Sequence, residues 1–246
     1  MSLYVYCLGE ELSVAVFEGL SGVGGSPVHL LSLGRLSAVV SDAGDEPIAV
    51  TEENLLAHNR VNAAALAVST PLPFRFGTRA APERLAEYTA AHETALADAL
   101  VRVRGCVEMS VKLMEKAEGK KQKPTVKVEA ESGKEAKVEV VGRGTAFLLQ
   151  KRREVLGEEE VRVRADELGA WLAAGVVGLA RESAVRVNPS EAIVVRAAHL
   201  VERGSVAEYR ARLRELGAGR QSLRLLTSGP WPPYSFSDIS SQNHPR

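Results

Sequence analysis

Two thiols and five imidazoles are the groups in this chain best suited to nucleophilic or metal chemistry, and their spacing limits what they can do. Cys7 and Cys106 stand 99 positions apart in apolar, strand-like runs. Such a pair admits one bridge, but nothing in the sequence suggests secretion, and buried free thiols are common. A metal site needs clustered ligands, and His29, His58, His92, His199 and His244 are scattered. Gly22-Val23-Gly24-Gly25 is glycine-rich, but a strand and not a helix follows it, so it lacks the context of a dinucleotide loop. There is no Gly-x-x-x-x-Gly-Lys phosphate loop and no Gly-x-Ser-x-Gly elbow. Cys7 with His58 makes a nucleophile and a base by residue type alone. The expectation is a protein that is not an enzyme, with no catalytic residue, no metal and no cofactor.

Other residues are better placed for contact. Gly229-Pro230-Trp231-Pro232-Pro233-Tyr234-Ser235-Phe236 carries three prolines, which fix φ and bias their predecessors toward extended geometry. A stiff segment loses little entropy on ordering, and Trp231, Tyr234 and Phe236 offer large apolar areas to bury. This predicts a tail that docks, either on the protein's own surface, the simpler reading, or on a partner. His58 shares a helix face with Leu55, Asn62 and Leu66. There it serves as a core histidine or as a polar contact that positions the following strand. Arg75 alternates with Phe74 and Phe76, so with the phenyl rings inward it projects outward, toward a partner or into a domain-spanning ion pair.

The elements that must position these residues can be read in order. Leu3 to Leu8 reads as a strand, with Tyr4 and Tyr6 two apart. Val28 to Leu33 and Leu36 to Ser41 form a tight hairpin about Gly34 and Arg35. Thr51 caps a helix to about Val68, with Glu52 and Glu53 in its first turn. Pro71 to Phe76 is a short strand whose prolines argue for an edge or an irregular start. Pro82 opens a helix to about Arg104, which Gly105 ends. From Cys106 the order becomes β-α-β-β-α-β. Its parts are a strand to Met114, a long helical stretch from about Thr145 to Ala180 with a break near Gly157, strands at 184–187 and 193–201, a helix from Ser205 to Leu216, and a strand from Leu223 to Thr227. That is the split βαβ, or ferredoxin-like, pattern. The fold class expected is α+β with two domains. Residues 1–105 form an N-terminal α+β domain, 106–228 a ferredoxin-like domain with a flexible insertion at 116–142, and 229–246 an extended tail.

Composition narrows the partners. The 246 residues exceed the common single-domain size, and 45% hydrophobic content supports a substantial core. Acidic and basic residues balance at 31 each, without the basic excess of a duplex-binding surface, so no nucleic acid is expected. Seven of the nine lysines lie between Lys116 and Lys137, in a stretch almost without large apolar side chains. It reads as a solvated loop because glutamates interleave with the lysines; contact with an acidic partner is the alternative. The N-terminus lacks the pattern of a signal peptide and no apolar run nears the ~20 residues that span a bilayer, so a cytoplasmic protein with no membrane partner is expected.

The GPWPPYSF run resembles the C-terminal signature of the gas vesicle GvpF/GvpL family. Leu56-Ala57-His58-Asn59 with Val61, followed by Leu72-Pro73-Phe74-Arg75-Phe76-Gly77-Thr78, is similar to that family's histidine-bearing helix and Leu-Pro-x-Arg-Phe-Gly-Thr strand and turn. Tyr4-Val5-Tyr6 matches more loosely, with Cys7 where a glycine is usual. Gly105-Cys106-Val107-Glu108-Met109 has methionine where the family usually has tryptophan. The resemblance implies two α+β domains, association with gas vesicles, and binding to the small hydrophobic shell protein and to other accessory gas vesicle proteins. Assembly factor and minor structural constituent of the mature vesicle both remain open. A small-molecule binder or enzyme on a ferredoxin-like scaffold is the reading from another class. The residues singled out for partner binding or tail docking are His58, Arg75, Phe76, Trp231, Tyr234 and Phe236.

Overall fold

A computed structural model describes residues 2–44, 46–115, 159, 162–187 and 193–239. The lysine-rich stretch, the expected turn at Asn188-Pro189-Ser190 and residues 240–246 lie outside them.

The first sheet is built around β1 (Ser2–Gly9), buried on both sides from Leu3 onward. β2 (Val28–Leu33) and β3 (Leu36–Ala43) form the hairpin expected from Gly34, whose φ of 69° only glycine adopts without strain. β3 pairs antiparallel with β1, and two short strands, β4 (Leu72–Pro73) and β5 (Arg79–Ala80), line the other edge of β1. One face of β1 packs Leu3, Val5 and Leu8 against Leu85, Leu96 and Leu100 of two helices, α2 (Pro82–Ala91) and α3 (Glu93–Val103). The opposite face packs Tyr4, Tyr6 and Cys7 against Ala57, Val61 and Ala65 of α1 (Glu52–Val68). The register of β1 on β3 shifts between Val5 and Cys7. That bulge lets Tyr6 and Cys7 join the same cluster although they are adjacent in sequence.

Thr51 caps α1 as expected, its Oγ1 accepting the Asn54 N–H at 3.2 Å. The helix expected from Pro82 to Arg104 is instead two, α2 and α3, meeting at His92. The His92 N–H closes α2 on the Tyr88 carbonyl, and its own carbonyl accepts the Leu96 N–H of α3. The bend lets Leu85 and Leu96 reach one core.

Gly105, with φ of 73°, turns the chain into the second sheet. This contains β6 (Cys106–Glu115), β7 (Ala180–Val187), β8 (Ile193–Glu202) and β9 (Leu223–Trp231), fully antiparallel in the order β7-β8-β6-β9. Helix α4 (162–175) joins β6 to β7 in chain order, and α5 (Val206–Ala218) joins β8 to β9. Val107, Met109 and Val111 of β6 face Leu172 of α4, Val176 in the turn after it, and Tyr209 and Leu213 of α5. Intervening residues face the first sheet, and Cys106, Ala198 and Leu200 complete the cluster of Leu3, Val5 and Leu100. The two sheets therefore share one core, with α3 between them. β7 begins at Ala180 rather than near Ala184, and β9 runs four residues past Thr227 to Trp231.

Candidate functional site

Polar and aromatic side chains converge where α1, β1 and the C-terminal segment meet. Beyond Trp231 the chain turns tightly, with the Tyr234 N–H on the Pro232 carbonyl at 2.8 Å and the Phe236 N–H on the Pro233 carbonyl at 3.0 Å. The turn points Tyr234 at α1, placing its Oη 3.1 Å from His58 Nε2. His58 Nδ1 lies 2.9 Å from Tyr4 Oη, which accepts the Gly77 N–H at 3.0 Å. Asn62, one turn along α1, donates its amide to the His58 carbonyl at 3.2 Å and sits 3.1 Å from Nε2. Phe76 meets the imidazole edge-on, with ring centres 5.7 Å apart, and Tyr6 stacks on it at the same distance.

The electrostatics follow from this enclosure. Burial lowers the His58 pKa from 6.5 to about 4, so the ring is neutral at ordinary pH. An imidazolium would also turn an Nε2–H against the Asn62 amide. Burial raises Tyr4 to about 12, and Tyr6 and Tyr234 rise for the same cause. With both ring nitrogens engaged, the arrangement orients four elements about one histidine and leaves it no free lone pair for proton transfer. Cys7 is buried, and burial drives its thiol above the ordinary range, so no thiolate faces His58. Among the described residues no group of three or more His, Cys, Asp or Glu side chains is positioned to hold a metal ion. No helix among them is long and apolar enough to cross a membrane.

The C-terminal segment is fastened at three further points. Glu108 is buried on the β6 face opposite α5, where its Oε2 accepts the Ser235 N–H at 2.7 Å and its Oε1 the Ser235 hydroxyl at 3.1 Å. Burial raises its pKa while the Ser235 bonds lower it. Arg102 Nη2 donates to the Phe236 carbonyl, and the Ser237 hydroxyl to the Pro73 carbonyl at 3.3 Å. The Phe236 ring enters the core shared by the two sheets, only 5% exposed.

Of the residues singled out from sequence, His58, Phe76, Tyr234 and Phe236 are drawn into this assembly. Arg75 and Trp231 are not. Because β4 ends at Pro73 and the chain turns toward Gly77, Phe74 and Phe76 do not share a face. Phe74 packs into the core between the sheets, and Phe76 against Tyr4 and His58. Arg75 sits exposed in that turn, its carbonyl accepting the Thr78 N–H and hydroxyl, on the rim of a cleft of about 380 Å³ that Tyr88 and Tyr234 also line. Trp231 ends β9, 40% exposed, its indole N–H on Ser228 Oγ at 3.3 Å. Leu55, expected on the buried face of α1, is 39% exposed. Glu108, Ser235 and Arg102 were not singled out. The one available signal was Glu108, a lone carboxylate within the apolar run Cys106 to Met109.

Residues 2–238 match a family described as "Gas vesicle synthesis protein GvpL/GvpF". The chain is 26% identical to gas vesicle protein L2 of Halobacterium salinarum, over 95% of this chain and 90% of that one. It is 28% identical to gas vesicle protein L of a Streptomyces species, over 98% and 94%. Its fold resembles the crystal structure of gas vesicle protein GvpF from Anabaena, with a TM-score of 0.72 at 18% identity, covering 96% of this chain and 98% of that one. A family match that takes in the histidine helix, both sheets and the docked segment means that this protein belongs to the GvpL/GvpF family of gas vesicle proteins.

Proposed function

We propose that this chain acts in gas vesicle assembly by binding the shell protein and other accessory gas vesicle proteins, and that it performs no chemistry. The observation that carries the reading is His58: the site with the strongest claim to chemistry is consumed by internal hydrogen bonds. Beside it an apolar groove opens, floored by the buried Leu66 and Val107. Ala63, Leu66 and Ala67 of α1, Val107, and Val206 and Pro230 line this groove of about 460 Å³ at the junction of the two sheets, with Arg203 and Arg210 at its rim. An apolar groove with a polar rim is what a hydrophobic client requires.

The finer architecture belongs to the same proposal. The order β7-β8-β6-β9, with helices after β6 and β8, supports a ferredoxin-like C-terminal domain. The turn at Gly105, where the chain changes sheets, supports the boundary there. A cytoplasmic location accords with a role beside the growing vesicle.

Pairwise interaction assays against every protein encoded with the vesicle shell test the reading. Ala63→Glu with Ala67→Glu, which place two charges in the groove, should abolish binding to the shell protein while leaving the thermal transition in place. Retained binding in that variant defeats the groove assignment. Absence of any gas vesicle partner defeats the function.

A further inference from the structure

A second groove, of about 560 Å³, runs along the C-terminal part of α5, between that helix and β9. β9 ends the order β7-β8-β6-β9, and among the described residues it pairs only with β6, which leaves its other edge without a strand partner there. Such an edge offers backbone donors and acceptors to an incoming strand. The α5 side consists of Arg210, Leu213, Arg214 and Gly217, a single helical stripe, and the strand side of Leu223 to Leu225 with Thr227. Its floor is apolar: Leu213 and Leu223 are buried, and Leu225 is half-buried.

The rim is basic. Arg210, Arg214 and Arg224 are exposed, and no carboxylate of a described residue pairs with any of them. Arg210 Nη2 is held against the Gly229 carbonyl at 2.7 Å, which fixes that guanidinium over the strand. The bias is local: residues 203–231 hold six arginines and two glutamates, in a chain whose charges balance overall.

We propose that this groove docks an extended, acidic segment of a partner protein, which adds alongside β9 as a further strand. The free edge selects a peptide backbone, the leucine floor selects apolar side chains on one face, and the arginines select carboxylates between them. Leu223 to Thr227 accommodates an added strand of about five residues. Phosphate backbones satisfy the arginines but bring neither amides for the edge nor apolar groups for the floor. This site shares only Arg210 with the α1–α5 groove and stands whether or not the gas vesicle reading holds.

The test titrates the full chain against a fluorescent peptide alternating Val and Glu, with the Val and Lys counterpart as control, reading anisotropy. The acidic peptide should bind and the lysine peptide should not. Arg214→Glu with Arg224→Glu should weaken binding about tenfold or more. Gly217→Phe should block it by filling the groove: a Cβ there meets only Leu225 Cδ1, at 3.7 Å, so the change suits the fold. Both variants should melt with the unaltered chain, and Arg214→Lys should retain binding. Equal binding of both peptides overturns the proposal, as does binding indifferent to Gly217→Phe. Two other results overturn it as well: duplex DNA binding this face more tightly than the peptide, or self-association of the chain that the arginine reversals abolish.

Discussion

Tyr234 Oη lies 3.1 Å from Nε2 of His58, although 176 residues separate the two in the chain. The same imidazole reaches Tyr4 of β1 through Nδ1, and Tyr4 in turn holds the Gly77 N–H of the β4–β5 turn. One ring therefore fixes the C-terminal segment to the first sheet. Tyr234→Phe keeps the ring packing and removes only the hydroxyl. The expected loss is about 1 kcal/mol, seen as a melting temperature lower by about 2–4 °C for a chain of this size. An unchanged transition means that the hydroxyl contributes nothing to docking.

Stability should fall as solution is acidified below neutrality. His58 and His199 are both lowered by burial from 6.5 to about 4. Between those values the unfolded chain binds more protons than the folded one, so stability is full above about 6.5 and lost as pH drops toward 4. Glu108, raised by burial, acts in the opposite direction over part of that range. His58→Gln removes one of two similar contributions, so the slope of stability against pH between 6.5 and 4.5 should fall by about half or more. Urea midpoints measured across that range check it, and an unchanged slope refutes the assignment to His58.

Much of this was legible in the sequence because it is local. The Gly34 hairpin and the Thr51 cap depend on a few neighbouring residues, and the β-α-β-β-α-β order on hydrophobic periodicity. His58 and Asn62 were visible as one helix face, because i and i+4 coincide on any helix. What did not show were choices made by distant partners. Phe74 and Phe76 look like alternate residues of one strand until the turn at Gly77 sends them to separate clusters. Trp231 looks like the tail's largest anchor, but pairing with Glu108 keeps it in β9 and half outside. Glu108 has no meaning until Ser235 arrives from 127 positions away.

That carboxylate should matter more than its single charge suggests. Glu108 accepts both the backbone N–H and the hydroxyl of Ser235. Ser235→Ala removes one of these bonds and should cost about 1 kcal/mol. Glu108→Ala leaves both donors without an acceptor and should cost about 2–3 kcal/mol, because hydrogen bonds to charged groups are the stronger ones. Limited proteolysis reads the same difference locally. Cleavage after Tyr234 or Phe236 should accelerate in Glu108→Ala well before the whole chain unfolds, and equal rates would place Glu108 outside the docking.

Phe236 and Trp231 offer the sharpest contrast, because both are aromatic residues of the same proline-rich run. Phe236 is 5% exposed in a core that also holds Leu3, Leu100 and Leu200, so its ring belongs to both sheets at once. Phe236→Ala leaves a cavity the size of a phenyl ring and should cost about 3–5 kcal/mol. Trp231, at 40% exposure, loses mainly solvent-facing area on truncation, and Trp231→Ala should cost about 1 kcal/mol or less. If the C-terminal segment is held chiefly by its hydrogen bonds to Glu108 and His58, the two substitutions will shift the transition alike. If burial dominates, Phe236→Ala will approach truncation at Pro232 in its effect while Trp231→Ala stays near the unaltered chain. Denaturant titration of the three variants decides between these outcomes, and the shared core predicts the second.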